Sequence, residues 1–177
     1  KLAEFNDVIL GKGVIRCKDT PGFIGNRLGV YAMQVGLNEA LKRNIPFDDA
    51  DAILGRPMGV PKTGVFGLYD LIGIDLMSDV VASMRQILPK NDEFQKVGMD
   101  PELITSLIKS GYTGQKGLGG FYKESKKGRK VREFSKENSQ VIKWRDINQI
   151  PELAEKAAKA QSEREEALLV LVHDNSE

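Results

Sequence analysis

A mainly α-helical domain, with one short N-terminal strand and a small β-hairpin, is the fold this sequence predicts. Two patterns carry that expectation. From residue 20 to residue 110, apolar side chains recur at helical spacing, divided into segments by Gly, Pro and N-capping residues. Only residues 14–18 (VIRCK) and the stretch after Gly120 combine strand-forming residues with adjacent turn signals. Composition agrees, because 41% of the 177 residues are apolar and 29% charged, which supplies a core and gives no case for wholesale disorder. That length holds one compact domain, or a small domain plus a tail.

The elements follow in order. Residues 14–18 form the expected strand, between Gly11-Lys12-Gly13 and the turn Asp19-Thr20-Pro21-Gly22. A lone strand leaves its backbone groups unpaired, so its sheet is expected to lie outside this chain. From Pro21 a long helix runs to about Lys42, with Asp19 or Thr20 as N-cap and Ile24, Leu28, Tyr31 and Val35 on one apolar stripe. Pro46-Phe47-Asp48-Asp49 opens a short helix that Gly55 stops. Residues 56–64 hold two prolines and two glycines and read as a loop. Phe66, Leu68, Tyr69, Leu71 and Ile72 then form a helix ended by Gly73, and Asp75 caps another containing Leu76, Val80, Met84 and Ile87 or Leu88. Asp100-Pro101 begins the next, with Leu103, Ile104, Leu107 and Ile108 inward and Gly111 as its stop. After a glycine loop, residues 121–134 read as a hairpin around a Gly turn. Pro151 opens a last helix, with Glu155 and Lys159 as an i,i+4 pair, running to Val172.

Scarce residues exclude several chemistries. One cysteine, Cys17, closes no intramolecular disulfide and builds no thiolate zinc site, which fits a reducing compartment. The one histidine, His173, lies near the end beside Asp174 and is not expected to be catalytic, and no metal site is expected. The longest apolar run, residues 167–172, is far below the ~20 residues that cross a bilayer, so no membrane span is expected. With 26 basic and 25 acidic residues, net charge names no partner.

Four local features carry chemistry. On a helix, Gly22, Gly25, Gly29 and Gly36 fall within about 60° of one another, with Asn26 and Met33 on the same side. Each glycine costs ~1 kcal/mol relative to alanine there, so something is expected to approach that backbone closely. Either a second helix packs through the small residues, or the face walls a ligand cleft into which Asn26 offers a carboxamide that donates and accepts. The glycine loop Gly117-Leu118-Gly119-Gly120 lacks a dinucleotide fingerprint and leads into a strand, so it reads as a docking loop against another domain. Eight basic residues (Lys116, Lys123, Lys126, Lys127, Arg129, Lys130, Arg132 and Lys136) stand against Glu124 and Glu133, a density that grips phosphates or simply solvates a hairpin; nucleic-acid binding is not the expectation. Asp48, Asp49 and Asp51 read as helix-capping and dipole-compensating residues.

The block DTPGFIGNRLG (residues 19–29), followed by Asp51-Ala52-Ile53, PKTGVFGLYDLIGID (61–75) and GLGGFYK (117–123), resembles the C-terminal domain of 3-hydroxyacyl-CoA dehydrogenases over residues 14 to about 123. The resemblance implies a helical domain of the 6-phosphogluconate-dehydrogenase C-terminal-like type. It implies that residues 1–19 end an absent Rossmann NAD-binding domain, that 20–123 form the substrate-covering and dimerising domain, and that 124–177 extend towards a following domain. The implied reaction is NAD-dependent oxidation of an L-3-hydroxyacyl-CoA to the 3-ketoacyl-CoA, in bacterial cytoplasm and as a homodimer. By the same resemblance Asn26 is the active-site asparagine, with Gly22, Gly25 and Gly29 beside the substrate. The general-base histidine, its orienting glutamate and the NAD turn would belong to the absent domain, so no cofactor-binding residue is expected here and the isolated chain should be inactive. The PKTGVF loop departs from the shorter Pro-x-Gly-Pro-Phe of many members, and with the tail it is more similar to the fused enzymes that also carry an enoyl-CoA hydratase. A non-catalytic helical dimerisation module remains the alternative.

Overall fold

The computed structural model describes residues 1–133, 143–147 and 151–159. Phe134, Lys136, His173 and the expected continuation of the last helix to Val172 lie outside the described residues. A helical body carries a small antiparallel sheet. Its elements are α1 (Leu2–Glu4) with a π-helical turn (Phe5–Ile9), α2 (Ile24–Arg43), α3 (Phe47–Ile53), α4 (Gly64–Ile72), α5 (Ile74–Ile87), α6 (Phe94–Val97) and α7 (Glu102–Lys109), then β1 (Tyr122–Ser125), β2 (Gly128–Glu133), β3 (Lys143–Asp146) and α8 (Glu152–Lys159). A 3-10 turn (Arg56–Met58) interrupts the expected loop between α3 and α4. No helix among the described residues is long and apolar enough to cross a membrane.

Several expectations are corrected. Residues 11–20 take no regular structure, so the strand at 14–18 is not formed; among the described residues no strand lies beside it to accept its backbone hydrogen bonds. Neither Asp19 nor Thr20 caps α2, whose N-cap is Phe23. The Ile24, Leu28 and Tyr31 stripe is exposed, and α2 instead buries Val30, Met33, Gln34, Leu37 and Ala40. On α5 the buried residues are Ile74, Met77, Val81 and Met84, while Leu76 faces outward and Asp75 sits inside the first turn behind the N-cap Gly73. The ion pair on α8 joins Glu152 to Lys156. The expected hairpin forms, with Tyr122 opposite Val131 and Ser125 opposite Gly128, whose φ of 113° closes the turn. A third strand, β3, pairs along the far edge of β2, placing Trp144 opposite Arg132.

The core is built on aromatic packing. Phe47 of α3, Phe66 of α4 and Phe121 before β1 meet with ring centroids 4.6 to 4.9 Å apart, and Tyr69 lies 5.8 Å from Phe121. This cluster fastens the sheet to the helices. Two aspartates, half-buried Asp51 and buried Asp70, complete the junction. Asp51, on the last turn of α3, accepts the N–H groups of Phe66 (2.8 Å) and Gly67 (2.9 Å), and so caps the following helix rather than its own. Room for that carboxylate comes from Gly64, at φ 66°, where a Cβ would lie 2.4 Å from Asp51 Oδ1. The Tyr122 hydroxyl donates to Asp51 at 2.8 Å. Asp70, on α4, accepts the N–H groups of Phe121 (2.9 Å) and Tyr122 (2.7 Å). Asp48 serves the third strand, with both its oxygens taken by Arg145 at 2.6 and 2.9 Å.

Burial pushes Asp51 from 3.8 up to about 6, partly offset by the N–H groups of Phe66 and Gly67 and the Tyr122 hydroxyl. Burial likewise raises Asp70 to about 6 against its own backbone donors. With folded pKa values above the unfolded 3.8, these groups contribute stability that is fully present below pH 3.8 and lost as pH rises through about 6. Urea denaturation should therefore show lower stability at pH 7 than at pH 5, with a shallower slope in Asp51→Asn. Asp51→Ala, which orphans the donors it now satisfies, should cost ~3 kcal/mol at either pH.

Candidate functional site

The start of α2 sets the geometry of the predicted site. Pro21 and Gly22, at φ 91°, turn the chain, and Phe23 follows at φ 50° and ψ 157°, a conformation that side-chain-bearing residues rarely take. Gly22 thus serves the turn and stands outside the helix face to which its spacing assigned it. Asn26 lies exposed in the first turn of α2, and among the described residues its carboxamide has no hydrogen-bond partner.

The stripe through Gly25, Asn26, Gly29, Met33 and Gly36 is divided along its length. Its C-terminal half is covered: a Cβ at Gly36 would meet Val65 at 3.1 Å and Leu54 at 3.2 Å, so close approach within the chain explains that glycine. At Gly25 and Gly29 nothing lies within 4 Å of an added Cβ. The expected close neighbour is therefore found for Gly36, and the other two present bare backbone to open space.

A different face of α2 borders a cleft of about 480 Å³. Ile24, Leu28 and Tyr31 form one wall, residues 15–18 and Thr20 a second, and Met84, Asp92, Glu93 and Phe94 the remainder. Arg27 bridges to Asp92 across it, and Asp92 also accepts the N–H of Phe94 at 2.9 Å. Asn26 does not line this cleft. Sequence periodicity assigned Ile24, Leu28 and Tyr31 to a core and so missed the cleft.

The glycine loop packs within the chain itself. A Cβ at Gly120 would sit 2.0 Å from Asp70 Oδ1 and one at Gly114 2.4 Å from Asp70 O, so these glycines let the loop wrap α4. Four of its amides are occupied: Gly114 donates to Gly119, Gly117 to Gly114, Leu118 to Gly111 and Gly120 to Tyr122. A phosphate cradle needs such amides free, so these residues do not fit a dinucleotide. Beside the loop lies a second cleft, about 590 Å³, bordered by Gln115, Leu118, Lys123, Glu124 and Arg129.

Much of the basic hairpin is already engaged. Arg129 stacks over the Tyr122 ring at 3.9 Å, and Lys130 pairs with Asp146 at 2.7 Å. Arg132 is buried between Tyr112 and Trp144, 5.0 and 5.5 Å from their centroids, and burial brings its pKa down to about 10. The raised carboxylates Asp51 and Asp70 have the burial expected of catalytic acids, yet their oxygens hold backbone N–H groups, which makes them structural.

The open and covered glycines should respond differently to the same change. Gly25→Ala and Gly29→Ala should each raise stability by ~0.5–1 kcal/mol in thermal denaturation, because alanine restores helix propensity without meeting a neighbour. Gly36→Ala should lose that gain as Val65 and Leu54 are displaced.

Comparison with known proteins bears on this architecture. Residues 22–124 match the family model described as 3-hydroxyacyl-CoA dehydrogenase, C-terminal domain. A Rickettsia prowazekii protein named as a fatty acid oxidation complex trifunctional enzyme is 40% identical over 134 residues, covering 75% of this chain and 19% of its own length. A Bacillus subtilis protein named as a probable 3-hydroxyacyl-CoA dehydrogenase is 35% identical, covering 71% of this chain and 16% of its own. The crystal structure of M. tuberculosis FadB2 aligns with a TM-score of 0.52 and 25% identity, over 70% of this chain and 41% of that one. The chain thus spans less than a fifth of those two sequence relatives. Since the matched segment runs from the turn before α2 through the helices to β1, the chain belongs to the 3-hydroxyacyl-CoA dehydrogenase C-terminal domain family.

Proposed function

We propose that this chain is the substrate-covering and dimerising domain of an NAD-dependent L-3-hydroxyacyl-CoA dehydrogenase, and that residues 1–19 lead out of a Rossmann domain belonging to the same polypeptide. The observation that carries this reading is Asn26, an unpartnered carboxamide in the exposed first turn of α2, flanked by the bare backbone of Gly25 and Gly29 inside the family-matched segment. The relatives' greater length accommodates a further domain.

In this reading NAD supplies the hydride acceptor and is held by the Rossmann domain, since the glycine loop here closes on Asp70 and offers no cradle. The general base and its orienting carboxylate come from that domain too. What this chain contributes is position: the Asn26 carboxamide donates to the reacting oxygen or accepts from the catalytic imidazole, while the bare backbone beside it lets an acyl thioester lie close. An amide on a helix held by a packed core needs little reorganisation as charge develops on that oxygen, and this makes the interaction selective for the transition state. The exposed apolar residues Phe23, Ile24 and Leu28 supply contact area for the missing domain or for a second protomer. The bacterial cytoplasm is the proposed setting.

Asn26→Ala in the complete enzyme should lower kcat by ~10- to 1000-fold with a smaller change in KM, measured by NADH formation from a 3-hydroxyacyl-CoA. An unaltered kcat would remove Asn26 from the mechanism. The 177-residue chain alone should turn over none of this substrate.

The open stripe also favours a second reading, a purely associative module. Gly29→Leu separates the two by sedimentation and ligand affinity in the complete protein: loss of the dimer with affinity intact supports association alone.

A further inference from the structure

We infer that Arg132 binds a small carboxylate anion, held by two parallel hydrogen bonds along one edge of its guanidinium. Arg132 is only 4% exposed, yet its Nε and Nη2 have no hydrogen-bond partner among the described residues. Those two nitrogens share the side of the guanidinium away from Cδ, and together they form the fork that meets both oxygens of a carboxylate. The rest of the residue is well anchored. Its backbone N–H donates to Phe121 O at 2.8 Å, and its guanidinium carbon with the ring centroids of Tyr112 and Trp144 makes a triangle of sides 5.0, 5.5 and 6.0 Å. The rings engage the cation through their faces, which leaves Nε and Nη2 without an oxygen to meet.

No carboxylate among the described residues serves that edge. Asp70 is the acidic group whose charge reaches Arg132, and both its oxygens are taken by the N–H groups of Phe121 and Tyr122. Asp146, two residues along β3 from Trp144, pairs with Lys130. A buried cation with two unmet donors lowers stability, and an apolar side chain of similar length packs against the same rings without that cost. Arginine at this position is therefore explained by an acceptor that it meets. The charge and size of that acceptor follow from the burial. One guanidinium is neutralised by one negative charge, which a carboxylate carries and phosphate at neutral pH exceeds. Entry requires the half-buried ring of Trp144 to move, and its strand β3 is four residues long and pairs with β2 alone among the described strands. A shift of one ring admits an anion of acetate size and excludes a long chain. No residue of this site is shared with the role proposed for Asn26, so the two stand or fall separately.

Trp144 is the only tryptophan of the chain and packs on the guanidinium, so its fluorescence reports the site. Sodium acetate is titrated into the 177-residue chain at neutral pH and constant ionic strength, with sodium chloride as the balancing salt. A saturable change in Trp144 emission is expected, together with a melting temperature raised by about 3–5 °C at tenfold excess over half-saturation. Arg132→Met should abolish both responses while melting no lower than the parent chain, which separates a binding arginine from a structural one. Arg132→Lys, which keeps the charge and loses the fork, should weaken acetate by about tenfold or more. Lys123→Gln removes the exposed lysine 5.9 Å from the same ring and should leave the titration unchanged. Absence of a saturable response overturns the proposal, as does a response that survives Arg132→Met, an Arg132→Lys chain that titrates like the parent, or inorganic phosphate matching acetate in affinity.

Discussion

Tyr122 is held at both ends by carboxylates, its backbone N–H by buried Asp70 and its hydroxyl by half-buried Asp51, and the rest of the fold depends on that clamp. Asp51 at the same time caps α4, and α4 carries Asp70, so one hydrogen-bonded circuit runs from α3 through α4 to the first strand. The circuit lies beside the Phe47, Phe66 and Phe121 cluster, where loss of water strengthens each bond and makes an unmet donor expensive. Glycines at 64, 114 and 120 are needed because any side chain there would occupy the space of an aspartate or of the α4 backbone. The glycine loop and the aspartates are therefore one structural device.

That device bears on the candidate site through α4. Val65 closes on Gly36, and Tyr69 receives a hydrogen bond from buried Gln34 at 3.0 Å, so the C-terminal half of α2 is locked to the same body. The N-terminal half is tied through Arg27 to Asp92 and leaves Gly25, Asn26 and Gly29 exposed. Its bare glycines and its free asparagine gain nothing for the stability of this chain, since helix propensity disfavours them and no neighbour compensates. A sequence that keeps such residues at an exposed helix start is more economically explained by what docks there than by folding. Rigid support behind and open backbone in front is the arrangement expected of an element that positions a group for chemistry.

Membership of the dehydrogenase C-terminal domain family accords with this division of labour. Helices supply a scaffold, and the titratable groups perturbed inside it are committed to holding the sheet. Chemistry, in the proposed reading, is shared with a second domain.

Helix positions were legible in the sequence because period, caps and glycine stops are local properties. The helices from α2 to α5, together with α7, the hairpin and the first turns of α8 all fall where local pattern put them. The short α6, lacking a distinctive cap, and β3, with only Lys143 to Asp146 to declare it, did not stand out. Which side of each helix is buried was harder to read, because α2 has two apolar stripes and only packing against α3, α4 and α6 selects the one through Val30, Met33 and Leu37. Partnerships between distant residues were beyond reach as well: Asp48 with Arg145, Asp51 with Phe66 and Tyr122, and Asp70 with the glycine loop are separated by 15 to 97 positions. Local chemistry thus determined where helices begin and end and which motif marks the family. Tertiary structure alone decided which glycines are crowded and which are open, because crowding depends on segments that meet only after the chain has folded.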